Sequence, residues 1–173
     1  MKFLKWSILF LVMSSCAPIY VTYDYDRGTN FNQYKTYNYY SDMKPGLSDL
    51  DTRRLLDALD AKLKTMGMEL SDNPGFFIDI SSQAFQQAPN QTVGLGVGGG
   101  GRNMGGGISI GLPIGQGQIN RQITIDFVDE NKKQLFWQAV GDYRFNPDAT
   151  PENRLARIQQ LVDKVMSKYP PKK

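Results

Sequence analysis

The chemistry available to this chain lies in its carboxylates, its nine tyrosines and one thiol. Asp24 and Asp26 stand two apart in an alternating segment. In a regular strand they would share a face about 7 Å apart, a spacing that suits paired acid–base work by a carboxylate hydrolase or glycan-processing enzyme. It is equally the spacing of the wet side of a half-buried strand. Asp126, Asp129 and Glu130 supply oxygens that a hard cation could use, but they form no calcium-loop pattern and read more simply as a solvated turn. The chain has no histidine, which removes Ser-His-Asp and Cys-His catalysis, histidine metal sites and histidine pH switching. Cys16 is the only cysteine, so no intrachain disulfide can form. No catalytic residue, metal site or cofactor is assigned, and a non-enzymatic role is expected.

The thiol has a specific context. Lys2 and Lys5 precede the apolar run Ile8-Leu9-Phe10-Leu11-Val12-Met13, and Ser14-Ser15 lead into Cys16. Positive, apolar and small segments in that order make an export signal, and the run is well short of the roughly 20 residues of a membrane-spanning helix. Met13-Ser14-Ser15-Cys16 resembles a bacterial lipoprotein signal. That resemblance implies cleavage before Cys16 and attachment of acyl chains to it, so residues 1–15 are a signal peptide and 16–18 a lipidated tether. Several acyl chains anchor stably where one is marginal. Ala17, in place of Asp, resembles an outer-membrane address, with the domain facing the periplasm. The formal charge of +3 includes Lys2 and Lys5, so the remainder is close to neutral and carries no nucleic-acid footprint.

The elements that must position these groups follow from periodicity. Ile19, Val21, Tyr23 and Tyr25 alternate with polar neighbours as in a strand. Phe31 and Tyr34-Lys35-Thr36-Tyr37-Asn38-Tyr39-Tyr40 start a second extended segment. A helix is expected over residues 49–66, capped by Ser48 with Asp51 at the reciprocal capping-box position. Leu55, Leu59, Leu63 and Met66 form its apolar stripe, Asp60 and Lys64 an i,i+4 ion pair, and Gly67 its terminator. Phe76, Ile78 and Ile80 share one strand face, and glutamine-rich residues 83–91 connect onward. Ile123, Ile125 and Phe127 share a face of the strongest strand signal. Leu135, Trp137 and Ala139 oppose Phe136, Gln138 and Val140 in its hairpin partner. Thr150 and Pro151 open a final helix that Pro170-Pro171 stops.

Residues 94–117 are half glycine. They lack the strand-to-helix context and Lys-Ser/Thr of a phosphate loop. Val93, Leu95 and Val97, then Ile108, Ile110, Leu112 and Ile114, alternate with small residues. This pattern predicts a long hairpin over residues 93–117, with Pro113 on an edge. Arg102, Asn103 and Met104 fall at its tip. These three, with Tyr23, Tyr25, Tyr37 and Tyr39, are the candidate interaction residues, because aromatic faces serve well at interfaces. The predicted fold is α+β: a mainly antiparallel sheet with two helices packed on one face and a glycine-rich β-hairpin.

Across nearly the whole mature chain the pattern resembles the DUF4136 family of bacterial envelope lipoproteins. Cys16, Tyr23-Asp24 and Phe31-Asn32-Gln33-Tyr34-Lys35-Thr36-Tyr37 carry the resemblance early in the chain. Phe76-Phe77-Ile78-Asp79-Ile80, Ile123-Thr124-Ile125-Asp126-Phe127-Val128-Asp129, Leu135-Phe136-Trp137-Gln138-Ala139 and Tyr169-Pro170-Pro171 continue it. The resemblance implies a single α+β domain over residues 19–171, followed by the basic tail 172–173, and it brings no catalytic set. Gln138 stands where many relatives have Arg. The expected protein is therefore membrane-anchored through acylated Cys16 and binds an envelope protein, glycan or lipid, or plays a structural role there. A lipid- or glycan-binding module with an aromatic groove is the related alternative.

Overall fold

The computed structural model describes residues 18–87, 92–96, 109–113 and 118–172. Cys16, the signal segment and the tip residues Arg102, Asn103 and Met104 lie outside the described residues. Eight strands are described: β1 (Tyr20–Tyr25), β2 (Thr36–Tyr39), β3 (Glu69–Leu70), β4 (Phe76–Gln87), β5 (Thr92–Gly96), β6 (Ser109–Pro113), β7 (Gln118–Asp129) and β8 (Leu135–Phe145). Two α-helices accompany them, α1 (Asp49–Thr65) and α2 (Pro151–Met166).

Six strands form one sheet in the order β1-β8-β7-β4-β2-β3, and β5 pairs with β6 in a separate two-stranded ribbon. The main sheet is mixed. β4, β7, β8 and β1 each run antiparallel to the next, but β2 runs parallel to both β4 and β3. The reason is connectivity: α1 lies between β2 and the strands that follow it, and a helical crossover returns the chain in the same direction. Residues 83–87, expected as a connection, continue β4 instead, because each pairs with β7 out to Gln87↔Gln118. Phe31 is likewise not in a strand. It opens a 3-10 turn, Phe31–Gln33, in which the Asn30 side chain accepts from the Asn32 N–H.

Both helices lie on one face of the sheet. Ile78, Ile80, Ile123, Ile125, Phe127, Trp137 and Ala139 meet Leu55, Leu59 and Leu63 of α1 and Ile158, Leu161, Val162 and Val165 of α2 in the core. The other face carries Asp79, Thr124, Asp126, Gln138 and Val140, half-buried among one another. Gly67 ends α1 with φ +77°, a left-handed conformation open to glycine, and Met68 N–H reaches back to the Leu63 carbonyl at 3.0 Å.

The β7–β8 hairpin departs from simple alternation. Phe127 pairs with Trp137 while Val128 pairs with Leu135, so Phe136 is an extra residue. This bulge turns Phe136 into the core, where it stacks on Tyr34 at 4.0 Å, and leaves Leu135 exposed. The expected sharing of a face by Leu135 and Trp137 is thereby corrected.

A candidate binding cleft beside Tyr37 and Asp60

Asp60 lies on the face of α1 that approaches β2. Tyr37 and Tyr39, two apart on β2, point toward the same side, as the pleat requires. Both phenols donate to one oxygen, Asp60 Oδ1, at 2.8 and 2.7 Å. Their rings meet edge to face at 5.9 Å. Burial first, and then the hydrogen bond to Asp60, push both phenols above the ordinary tyrosine range. They remain donors at any physiological pH. This arrangement displaces the Asp60–Lys64 ion pair expected from spacing, and Lys64 forms no ion pair among the described residues.

The cluster borders an open cleft of about 620 Å³ between the end of α1 and the edge strand β3, lined by Tyr37, Asp60, Lys64, Met68, Glu69 and Leu70, with Ala61 and Gly67. It offers both charge signs over an apolar floor, an arrangement suited to holding a ligand with polar and apolar parts. The tyrosines themselves are not the exposed platform expected of them. Tyr37 is buried and Tyr39 half-buried, each held by Asp60. Tyr23 and Tyr25 stack at 6.3 Å on the other sheet edge, where Tyr23 is exposed and Tyr25 packs against Phe31.

The Asp24–Asp26 pair does not form. β1 ends at Tyr25, and Asp26 belongs to the following turn, accepting from the Gly28 N–H and the Thr29 hydroxyl. Asp24 accepts from the Tyr25 N–H. Asp126 and Asp129 also separate, because an odd spacing puts them on opposite faces. Asp129 is buried rather than solvated: it accepts from Tyr34 Oη at 2.6 Å and from the Asn131 and Lys132 N–H groups at 2.9 and 2.7 Å. Burial alone would raise its pKa, but these hydrogen bonds outweigh it and hold the carboxyl below its usual range. Tyr34 is pushed up to about 12 by its burial and by Asp129. Among the described residues, no three or more acidic or thiol side chains converge as ligands for a metal ion.

Two arrangements were not legible in the sequence. Asp79 and Asp126 are direct cross-strand partners on the sheet face opposite the helices, and Asp126 accepts from Gln138 Nε2 at 2.8 Å. Burial raises the pKa of Asp126, the Gln138 hydrogen bond opposes this, and Asp79 adds to the rise. Strand alternation marked both as outward, but only register brings them together. Asp51 is the other. Its N–H is capped by the Ser48 hydroxyl as expected, yet its carboxylate does not close a capping box. It is buried against Arg54 at 2.7 Å, Arg154 at 3.1 Å and Arg121 at 3.7 Å. Arg121 in turn stacks on Phe145 at 3.6 Å. This cluster ties α1, α2 and β7 together.

The model of the family described as Domain of unknown function (DUF4136) matches residues 21–171. No curated protein matches the chain. Two solved structures share the fold at low identity. A PDZ domain protein from Parabacteroides distasonis superposes with a TM-score of 0.58 at 14% identity, over 91% of this chain and 36% of that one. The PelC dodecamer from Paraburkholderia phytofirmans gives a TM-score of 0.53 at 9% identity, over 90% and 100%. The chain thus spans only about a third of the length of the first of these.

Proposed function

Taking as premise that the chain belongs to the DUF4136 family, we propose that it is an envelope lipoprotein, held in the outer membrane by acylated Cys16 and facing the periplasm. Its domain binds an envelope component without catalysis. The observation that carries the binding role is the cleft beside Asp60, whose walls come from a rigid helix end and a sheet edge. Tyr37 and Tyr39 hold the carboxylate in place, so the cleft is pre-organised before a ligand arrives. The generic likeness to the two solved folds is compatible with a binding or structural domain.

Two measurements test this reading. Labelling cells with an alkyne fatty acid should mark the wild-type chain and not Cys16→Ser; an unlabelled wild-type chain ends the lipoprotein reading. A photo-crosslinking amino acid at Leu70, on the cleft, should yield a discrete adduct that Lys64→Glu weakens. The same group at Asp148, at the far end of the sheet, should yield none. Equal adducts from both positions would remove the cleft from the proposal.

A second reading is favoured by one observation. Asp79 and Asp126 are adjacent carboxylates of which one is held toward its protonated form, as acid catalysis by a carboxylate pair requires. Hydrolysis of envelope glycans lost in both Asp79→Asn and Asp126→Asn would establish it; an inactive wild-type protein under the same conditions would end it.

A further inference from the structure

We propose that the free edge of β1 pairs antiparallel with β1 of a second copy of the chain, joining two six-stranded sheets about a two-fold axis at Thr22. This edge lies across the sheet from β3 and the Asp60 cleft, and its use is independent of how the chain is anchored.

Within the sheet β1 pairs with β8 alone. The phase of that ladder follows from the residue just past the end of β1, where the Asp26 N–H donates to the Phe136 carbonyl at 3.0 Å. Bonds to β8 then fall on Tyr20, Thr22, Asp24 and Asp26, and the backbone groups of Ile19, Val21, Tyr23 and Tyr25 face outward. Both ends of that outer edge are closed. Lys164 Nζ donates to the Ile19 carbonyl, and the Tyr25 N–H donates to Asp24 Oδ1 at 2.8 Å. Between them, the N–H and C=O groups of Val21 and Tyr23 have no partner among the described residues. From Tyr20 to Tyr25 the strand has no lysine, proline or bulge, the usual guards of an edge. Its side chains are uncovered as well. Tyr20 is 68% exposed on the face away from the helices, and Tyr23 is 42% exposed on the helix face.

The open stretch is complementary to itself. A two-fold axis at Thr22 sets Val21 opposite Tyr23 of the partner subunit, and Tyr23 opposite Val21 of the partner subunit. Each such pair exchanges both of its N–H and C=O bonds, so the contact uses only the open groups. Other axes do worse. An axis at Val21 calls on the Ile19 carbonyl, already held by Lys164, and an axis at Tyr23 calls on the Tyr25 N–H, already held by Asp24. An axis at Asp24 sets two carboxylates face to face. With the axis at Thr22, Asp24, the only charge in the strand, lies opposite Tyr20 of the partner subunit, and threonine pairs with threonine. On the helix face the Tyr23 rings of the two copies become diagonal neighbours, extending the Tyr23–Tyr25 stack of 6.3 Å. The helices leave room for this. Leu161 lies over Gly141, so α2 stands above β8. The two α2 helices would be three strand spacings apart, about 14 Å, against about 10 Å for helices in contact.

Disulfide trapping in intact cells making the full chain tests both the contact and its register. Thr22→Cys puts two thiols opposite each other at a non-hydrogen-bonded site, with Cα atoms about 4.5 Å apart, inside disulfide range. In Tyr20→Cys or Asp24→Cys the two copies of the residue lie four positions out of register, about 13 Å apart. After mild oxidation, Thr22→Cys is expected to give a disulfide-linked dimer. Tyr20→Cys and Asp24→Cys alone should stay at the background set by the wild-type chain, whose only thiol is Cys16. Tyr20→Cys combined with Asp24→Cys should restore the dimer. Val21→Pro removes an outward N–H and no bond to β8, so it should return Thr22→Cys to background with Tm unchanged. Tyr20→Asp, at an exposed side chain, sets like charges opposite each other across the axis and should do the same at low salt. Should Val21→Pro lower the Tm, Tyr20→Asp decides. Thr22→Cys at background overturns the inference, as does an equal dimer from Asp24→Cys alone or a dimer that survives Tyr20→Asp at low salt. A Thr22→Cys adduct of any other mass also overturns it, assigning the edge to a different protein.

Discussion

Leu161 of α2 occupies the space that a side chain at position 141 of β8 would need: a Cβ built on Gly141 would lie 2.3 Å from Leu161 Cδ1 and 3.5 Å from Val165 Cγ2. The absence of a side chain at that position lets α2 sit directly on the sheet, next to the edge strand β1. Gly141→Ala should therefore force the fully buried Leu161 side chain from its position in the packed core and destabilise the domain by about 1–3 kcal/mol. Thermal unfolding would show it as a Tm lowered by several degrees. Combining it with Leu161→Ala should recover part of the loss, because the two sites share one volume. An unchanged Tm for Gly141→Ala would contradict this packing.

The Asp60 cluster predicts an asymmetry between two substitutions. Asp60→Asn keeps an oxygen that can accept from Tyr37 and Tyr39, and should cost little. Asp60→Ala leaves two partly buried phenols without their acceptor, at about 1–3 kcal/mol each. Adding Tyr37→Phe and Tyr39→Phe to Asp60→Ala should restore much of that stability in urea titrations. Equal losses for Asn and Ala would mean that the hydroxyls find other partners.

Opposite pKa shifts on β7 predict opposite pH effects. The Asp129 pKa is lowered in the folded state. Its stabilisation is present above the unfolded carboxylate pKa and is lost as pH falls through the folded value. Asp129→Asn should therefore destabilise the protein at pH 7 and blunt its acid unfolding. The Asp126 pKa is raised. Its contribution is full below the unfolded pKa and declines as pH rises through the folded one. Asp126→Asn should accordingly stabilise at pH 7 and flatten the stability curve just above pH 4. Stability measured against pH for both variants checks the two signs together.

Asp51 meets three arginines from two helices and a strand. Asp51→Ala should cost about 1.5–3 kcal/mol, since it removes the buried carboxylate that accepts from half-buried guanidinium groups. Asp49→Ala, two residues away in the same first turn and exposed, should cost far less. Comparable losses would show that helix capping, rather than the buried ion cluster, is what Asp51 supplies.

Much of the architecture was legible in one dimension because its signals are local. Ser48, Thr150, Pro151 and Gly67 mark helix ends through hydrogen bonds or backbone angles set within a few residues. The stripe Leu55, Leu59, Leu63 and the alternation Ile123, Ile125, Phe127 report burial through period alone. Composition and motif likewise pointed to family and fold class before any coordinates. What failed was each inference that assumed the partner of a polar group. Asp26 was expected beside Asp24, Asp60 with Lys64 and Asp51 with its own helix start. Asp60 and Asp51 instead follow tertiary neighbours, and Asp26 turns to its own loop at Gly28 and Thr29.

The sequence by itself determined that this is an α+β chain of a recognisable family, with two capped helices, a strongly apolar sheet face and a glycine-rich excursion. Those are properties of period, propensity and composition, all carried within short windows. Only the tertiary structure decided that β2 runs parallel to β4, that Phe136 turns inward at a bulge, and that Asp79 faces Asp126. It also decided that Tyr37 and Tyr39 share one oxygen of Asp60. These depend on register and on contacts between segments tens of residues apart. A one-residue change of register would exchange every side chain between faces, and no local pattern records which register the whole sheet adopts.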